Sequence, residues 1–206
     1  MKISELEEKF RGHTPGIIGD PARYAVLVPL VEVDGQGHLL FEVRADGMKH
    51  QPGEVCFPGG KMEPGEDPET CALRETGEEL GISAEDIEVI SHLDAFHDTR
   101  RVIHPVLAKV KKTVVEHIVQ NPAEVKETFL APADFFVETP PYIYRIPMEV
   151  NLGEEEANFN ALVGFPDGYP WGKRKMVVPA WRYKDWVIWG LTGRILMWTF
   201  RPEDWN

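Results

Sequence analysis

Residues 60–82 read GKMEPGEDPETCALRETGEELGI. Asp67 has the side chain of a helix N-cap, Pro68 suits the first helical position and Gly81 suits the position just past the end. The spacing therefore predicts a helix beginning at Asp67-Pro68 and ending at Gly81. On such a helix Glu75, Glu78 and Glu79 stand three and four residues apart, so their carboxylates share one face. Ala72, Leu73, Thr76 and Leu80 occupy the adjoining stripe and can pack on a sheet. Three like charges on one face cost stability unless something positive sits among them. Arg74, four residues before Glu78, supplies part of that charge. A divalent cation, Mg²⁺ or Mn²⁺, would supply the rest, because Mg²⁺ prefers oxygen ligands, keeps some of its water and recruits substrate phosphate. Taken alone, three glutamates on a helix more often form a solvated face held by i,i+4 pairs. The whole spacing, with Phe57-Pro58-Gly59-Gly60 before it, reverses those odds.

The pattern is Gly60, five residues, Glu66, seven residues, Arg74-Glu75, two residues, Glu78-Glu79, one residue, Gly81-Ile82. It resembles the signature of the Nudix diphosphate hydrolases. Only Thr76 departs, standing where the family usually has an aliphatic residue. Seven fixed residues in ~200 registers should match by chance about once in 10⁵–10⁶ tries. The resemblance implies an α/β fold, an α/β/α sandwich with a mixed β-sheet flanked by helices. It also implies Mg²⁺- or Mn²⁺-dependent cleavage of a diphosphate bond, in which the cation polarises a phosphoryl oxygen and acidifies the attacking water. By the same resemblance Glu75 and Glu79 are the prime metal ligands, joined by the Gly60 carbonyl and by Glu78 as a third carboxylate. Glu66 and Arg74 orient the loop and helix, which places Arg74 with the catalytic group. The base that activates water is either Glu78 or Glu124, the latter in Asn121-Pro122-Ala123-Glu124-Val125, which is similar to a later Glu-Val element of the family.

Upstream, residues 40–60 read LFEVRADGMKHQPGEVCFPGG. This is similar to the signature of the coenzyme A diphosphatase branch. Arg44, Ala45, Gly53 and Phe57–Gly60 match it; Phe41 and Glu42 replace Leu-Thr, and Lys49 replaces a second arginine. Lysine keeps the charge but not the bidentate fork. Val187–Leu196 (VIWGLTGRIL) also resembles the closing helix of that branch. The substrate implied is coenzyme A or an acyl form, with other nucleoside diphosphate derivatives such as ADP-ribose or NADH as the alternative, and a non-catalytic ligand sensor as a third reading. Arg44, Lys49, Gly59 and Gly60 are the substrate-binding candidates. His97, Arg100 and Arg101 form a second group able to meet phosphate. Tyr142, Tyr144, Phe165, Tyr169, Trp171 and Trp181 could wall the adenine or the pantetheine arm, although most aromatics serve the core.

Elsewhere, Arg23–Val33 and His38–Arg44 read as strands joined by a hairpin turn at Asp34–Gly37. Residues 46–66 read as loop with one short strand at Glu54–Phe57. Ile87–Phe96, Val102–Lys111, Tyr142–Ile146 and Met176–Ala180 read as strands. Asn121–Pro141 reads as loop with a short helical piece, Trp186–Phe200 as a closing helix, and Ile3, Leu6 and Phe10 as one face of a short N-terminal helix. Strands and helices alternate without a regular βαβ repeat, and no repeat or long linker divides the chain, so residues 1–206 are expected to form a single domain.

The net charge of −12 over 206 residues disfavours non-specific nucleic-acid binding, which requires Lys and Arg on phosphates. It is compatible with a small nucleotide substrate held through a metal. No run approaches the ~18 apolar residues of a membrane span, and the acidic N-terminus lacks an apolar signal core. Two cysteines, Cys56 and Cys71, cannot form a disulfide framework. A cytoplasmic location is expected, and the family resemblance suggests a homodimer.

Overall fold

The computed structural model describes residues 2–14, 16–98, 100–151, 153, 156–164, 172 and 174–205. Its central sheet grows from strand β1, Ala22–Val33. β1 turns into β2, Gln36–Arg44, through Asp34-Gly35, both with positive φ, and Val33 pairs with Gln36. That is the two-residue hairpin whose left-handed turn matches strand twist, two residues tighter than the expected turn. The C-terminal half of β1 pairs with β2, Leu30 opposite Leu39. Its N-terminal half pairs instead with β4, Gly59–Lys61, while β2 takes β3, Val55–Cys56, at its far end. The two strands thus diverge like a fork, and residues 55–61 fill the opening. The expectation of loop over 46–66 outside Glu54–Phe57 is corrected at β4: three residues rich in glycine become a strand because β1 offers them an unpaired edge.

On the other side of β1 runs β7, Arg101–Val110, in parallel, followed by β5, Ile87–His92. The strand expected over Ile87–Phe96 is broken, with β6, Phe96–His97, pairing separately near the start of β7. β8, Val125–Pro132, lies along β2 and extends into α4, Ala133–Glu138; a strand stands where loop was expected. A second sheet of three strands contains β9, Tyr142–Met148, β10, Arg174–Tyr183, and β11, Trp186–Ile188, in the order β11-β10-β9. The closing helix α6 begins only at Gly190 and runs to Phe200, since Trp186–Ile188 pair with β10.

Alternation along β2 builds both cores. Leu39, Phe41 and Val43 point into a cluster with Phe57, Phe129, Phe136, Trp181 and Leu196. Leu40 points the opposite way, into a cluster with Leu27, Cys71, Ala72, Leu80 and Val106. The second cluster is covered by α2, Pro68–Leu80, and the first by α4, α6 and the small sheet. The architecture is mixed α/β, a mixed sheet between helical layers. The remaining helices are α1, Ile3–Phe10, α3, Lys112–Val115, and α5, Glu156–Val163. α1 forms as expected, yet Ile3, Leu6 and Phe10 remain exposed.

Candidate active site

The site lies where α2 crosses the fork. Asp67 Oδ1 accepts from the N–H groups of Glu69 (3.0 Å) and Thr70 (3.1 Å), a cap worth about 1 kcal/mol. Gly81, with φ 68°, ends the helix and its N–H donates to Gly77. These local signals set the length of α2 and hence which carboxylates meet β4. Thr76 turns its hydroxyl back to the Ala72 carbonyl (2.7 Å), so a polar atom is satisfied within the helix and its methyl faces the core.

Glu79 is 5% exposed and its Oε2 accepts from the Gly59 N–H at 2.8 Å. Gly59 adopts φ 151°, and a Cβ there would overlap the carbonyl oxygen of Ala25 and the Cα of Val26. At Gly60 a Cβ would occupy the space of the Glu75 carboxylate. Gly59 is therefore needed for β4 to lie against β1, and Gly60 for α2 to bring Glu75 onto β4. Glu78 behaves differently. Its side chain is 58% exposed and is reached by Arg74 Nη1 at 3.5 Å, so the expected trio on one face separates into Glu75 and Glu79 against the sheet and Glu78 in solvent. Four residues bring side chains onto the same stripe; three carry Glu78 round to the flank.

Arg74 ties this assembly together. Its Nε and Nη2 bind the two oxygens of Glu66 at 2.9 and 3.0 Å, Nη1 donates to Glu75 Oε1 at 2.8 Å, and Nη2 reaches the Lys61 carbonyl at 3.3 Å. Arg74 holds the Glu66 carboxyl down to about 2, helped by the Glu63 N–H. Burial raises the Glu75 and Glu79 carboxyls above the usual range, and for Glu79 the neighbouring Glu42 charge adds to it. The Gly60 carbonyl accepts from the Cys71 thiol, Sγ to O 3.7 Å.

Glu124 is half-buried beyond α2, its loop anchored by the Asn121 N–H on the Glu79 carbonyl (2.8 Å) and by the Ala45 N–H on its own carbonyl (2.8 Å). Its charge disfavours ionisation of Glu42, Glu75 and Glu79 alike. Arg44 ends β2 beside this loop, with Nε donating to the His50 carbonyl at 3.3 Å; Lys49 is exposed on the same loop. Arg101 is paired with Asp98 at 3.0 Å at the start of β7, and His97 and Arg100 lie exposed beside it.

One residue of the site went unread in the sequence except as a departure from a signature. Glu42 is 1% exposed, on the same side of β2 as Leu40 and so on the α2 side. Its Oε1 accepts from the Cys56 thiol at 3.2 Å, and its Oε2 has no hydrogen-bond partner among the described residues. The signal available in sequence was a lone acid inside the apolar run Leu39–Val43.

Among the described residues, no three His, Cys, Asp or Glu side chains enclose a metal ion by themselves. The donor chemistry nonetheless fits a hard divalent cation. Glu75 and Glu79 meet at β4, every donor is oxygen, burial destabilises their charges, and a buried carboxylate oxygen beside them is unpaired. Water and substrate oxygens would have to complete the shell.

Tyr142 and Tyr144 line one groove of about 390 Å³ on the outer face of the small sheet, with Arg182, Val187 and Trp189. Trp181 is corrected as a ligand wall: it is 1% exposed and its indole N–H donates to the Thr139 carbonyl at 2.8 Å, so it belongs to the core. Phe165, Tyr169 and Trp171 lie outside the described residues. Thr192 of α6 donates to the Val55 carbonyl at 3.1 Å, linking the helix that follows Trp189 to β3 and the fork.

The chain is similar to known proteins. It is 41% identical over 127 residues to the mouse peroxisomal coenzyme A diphosphatase NUDT7, covering 59% of this chain and 51% of that protein. It is 37% identical over 131 residues to the human mitochondrial coenzyme A diphosphatase NUDT8, covering 62% and 56%. The chain thus spans about half the length of the curated relatives it matches. Among solved structures, a C. elegans Ap4A hydrolase binary complex gives a TM-score of 0.46 at 20% identity, over 57% of this chain and 84% of that one. The NUDIX domain model matches residues 21–146, from the first residues of the fork to the middle of β9, and this chain belongs to the NUDIX family.

Proposed function

We propose that this protein hydrolyses the diphosphate bond of coenzyme A or acyl-coenzyme A, giving adenosine 3′,5′-bisphosphate and 4′-phosphopantetheine or its acyl form. The observation that carries the reading is the pair Glu75 and Glu79 brought onto Gly60 and Gly59, with Arg74 and Glu66 holding the helix in place. The similarity to proteins named coenzyme A diphosphatases, and the match at Arg44, Ala45 and Gly53 just before the site, support the choice of substrate.

Glu75 and Glu79 would hold a divalent cation, Mg²⁺ or Mn²⁺, with the Gly60 carbonyl beside them. Such a cation polarises a phosphoryl oxygen and lowers the pKa of a bound water. The protein's own work is positioning. Gly59 fixes one oxygen of Glu79, Arg74 fixes one oxygen of Glu75, and Arg44 and Lys49 offer positive charge to the phosphates. Glu124 is favoured over Glu78 as the residue that takes the proton from the attacking water. Its charge bears on Glu42, Glu75 and Glu79, whereas Glu78 bears on Glu75 from a side chain that is 58% exposed. The groove of Tyr142, Tyr144 and Arg182 suits the adenine or the pantetheine arm, having aromatic walls and one cation at a volume within the range of ligand pockets.

No helix among the described residues is long and apolar enough to cross a membrane. A homodimer would find an apolar surface at Ile146 and Met148, exposed further along β9. The reaction is tested by incubating the protein with coenzyme A, with and without Mg²⁺, and identifying products by mass spectrometry. The two phosphate-bearing halves are expected with Mg²⁺ alone; intact coenzyme A in both samples overturns the proposal.

A further inference from the structure

Glu42 lies outside the motif of residues 60–82 and stands where the branch signature has threonine. It is a charged side chain 1% exposed, on the sheet face that receives α2. A buried carboxylate keeps its place only if its oxygens are satisfied or it is neutralised. One oxygen has the weak Cys56 thiol donor at 3.2 Å; the other has nothing. The side chains that share its field are Glu75, Glu79 and Glu124, with Arg44 opposing them. Adding a fourth carboxylate to three others is unfavourable in isolation, so the missing element is a donor or a positive charge. No direct ligand cage exists among these groups, which points to water: Mg²⁺ retains several waters when carboxylates bind it, and each presents strongly polarised O–H donors.

We propose that Glu42 is a positioning residue of the cation site, its free Oε2 accepting a hydrogen bond from a water on the cation held by Glu75 and Glu79. Such outer partners orient what the first ligands hold, and their loss typically weakens metal affinity 10–100-fold. The Cys56 thiol holds the other oxygen, which leaves Oε2 as the one to accept from that water. This inference rests on reading Glu75 and Glu79 as the cation's holders.

The test is titration of substrate-free protein with Mn²⁺, followed by electron paramagnetic resonance, together with thermal melting with and without Mn²⁺. Wild type, Glu42→Gln, Glu42→Thr and Glu79→Gln are compared. Both Glu42 variants are expected to bind Mn²⁺ about 10-fold more weakly, to lose most of the Mn²⁺-induced rise in melting temperature, and to melt without metal at or above wild type. A merely structural Glu42 would show the reverse, lower metal-free melting with unchanged Mn²⁺ affinity, and that result overturns the proposal. Glu42→Thr keeps the test open if the glutamine variant does not fold. If Glu79→Gln loses Mn²⁺ while both Glu42 variants keep it, the Glu42 inference alone fails. If Glu79→Gln binds like wild type, the reading of the site fails with it.

Discussion

The fork beneath α2 and the three-stranded sheet of β9 to β11 are built on opposite plans. In the fork, short-range contacts close on themselves. Asp67 caps its own helix, Arg74 reaches Glu66 and Glu75 within nine residues, Gly60 makes room for the Glu75 carboxylate, and the Gly59 N–H donates to Glu79. In the small sheet, the inner face packs on α6 and the main core, while Tyr142, Tyr144, Ile146 and Met148 stand exposed on the outer face. The first region is organised around charge and has little freedom to change; the second is organised around apolar area and leaves it open. On the proposed reading the difference separates chemistry from recognition, with the reaction assigned to the fork and the choice of substrate to the groove on the small sheet.

The largest effect should come from the fork. Glu79→Gln keeps the shape and the Gly59 contact but removes the charge that faces the cation, whose Lewis acidity is worth several kcal/mol. A loss of about 10³-fold in kcat is expected, each 1.4 kcal/mol being tenfold, with an unchanged circular dichroism spectrum. Wild-type turnover in that variant would leave the fork without its role. Arg74→Met should follow, since it frees Glu75 and Glu66 together; misplacement of a catalytic group by about 1 Å can cost 10²-fold. The loss should fall on kcat, with KM little moved, and a loss confined to KM would assign Arg74 to substrate binding instead.

The small sheet should answer in the other parameter. Tyr144→Ala is expected to raise KM for coenzyme A by roughly 10-fold, about the worth of an aromatic contact with its buried area, and to leave kcat near wild type. An unchanged KM would remove the groove from the substrate's path. The smallest effect concerns acid stability. Arg74 holds the Glu66 carboxyl at about 2, below the roughly 4.3 of an unfolded chain. A depressed carboxyl contributes stability above the unfolded value and loses it as pH falls towards 2. The melting-temperature gap between wild type and Glu66→Gln should therefore narrow from pH 5 to pH 2; a constant gap would contradict the pairing.

Legibility in the sequence follows the same division. α2 was readable almost to the residue, because a cap, a proline and a terminal glycine are local instructions. The hairpin at Asp34-Gly35 was readable for the same reason. β4 was not, because Gly59–Lys61 have no strand propensity and pair only where β1 leaves β2. β8 and β11 likewise owe their extended form to β2 and β10, partners distant in sequence. Within the site, spacing put Glu75, Glu78 and Glu79 on one face, and only the family resemblance singled out Glu75 and Glu79; the departure of Glu78 was not readable, since helical spacing does not say how far the sheet extends under the helix. Glu42 was hidden more deeply. Nothing in Leu39–Val43 says that one side of this strand faces carboxylates rather than core.

Whether the fork cleaves a diphosphate, with coenzyme A as the molecule presented to it, reduces to one comparison of kcat/KM. Coenzyme A, ADP-ribose and NADH are offered separately with Mg²⁺, and products are quantified by mass spectrometry. Coenzyme A should give the highest kcat/KM, with adenosine 3′,5′-bisphosphate and 4′-phosphopantetheine as products; faster turnover of ADP-ribose or NADH, or no turnover of any of the three, would refute the proposed function.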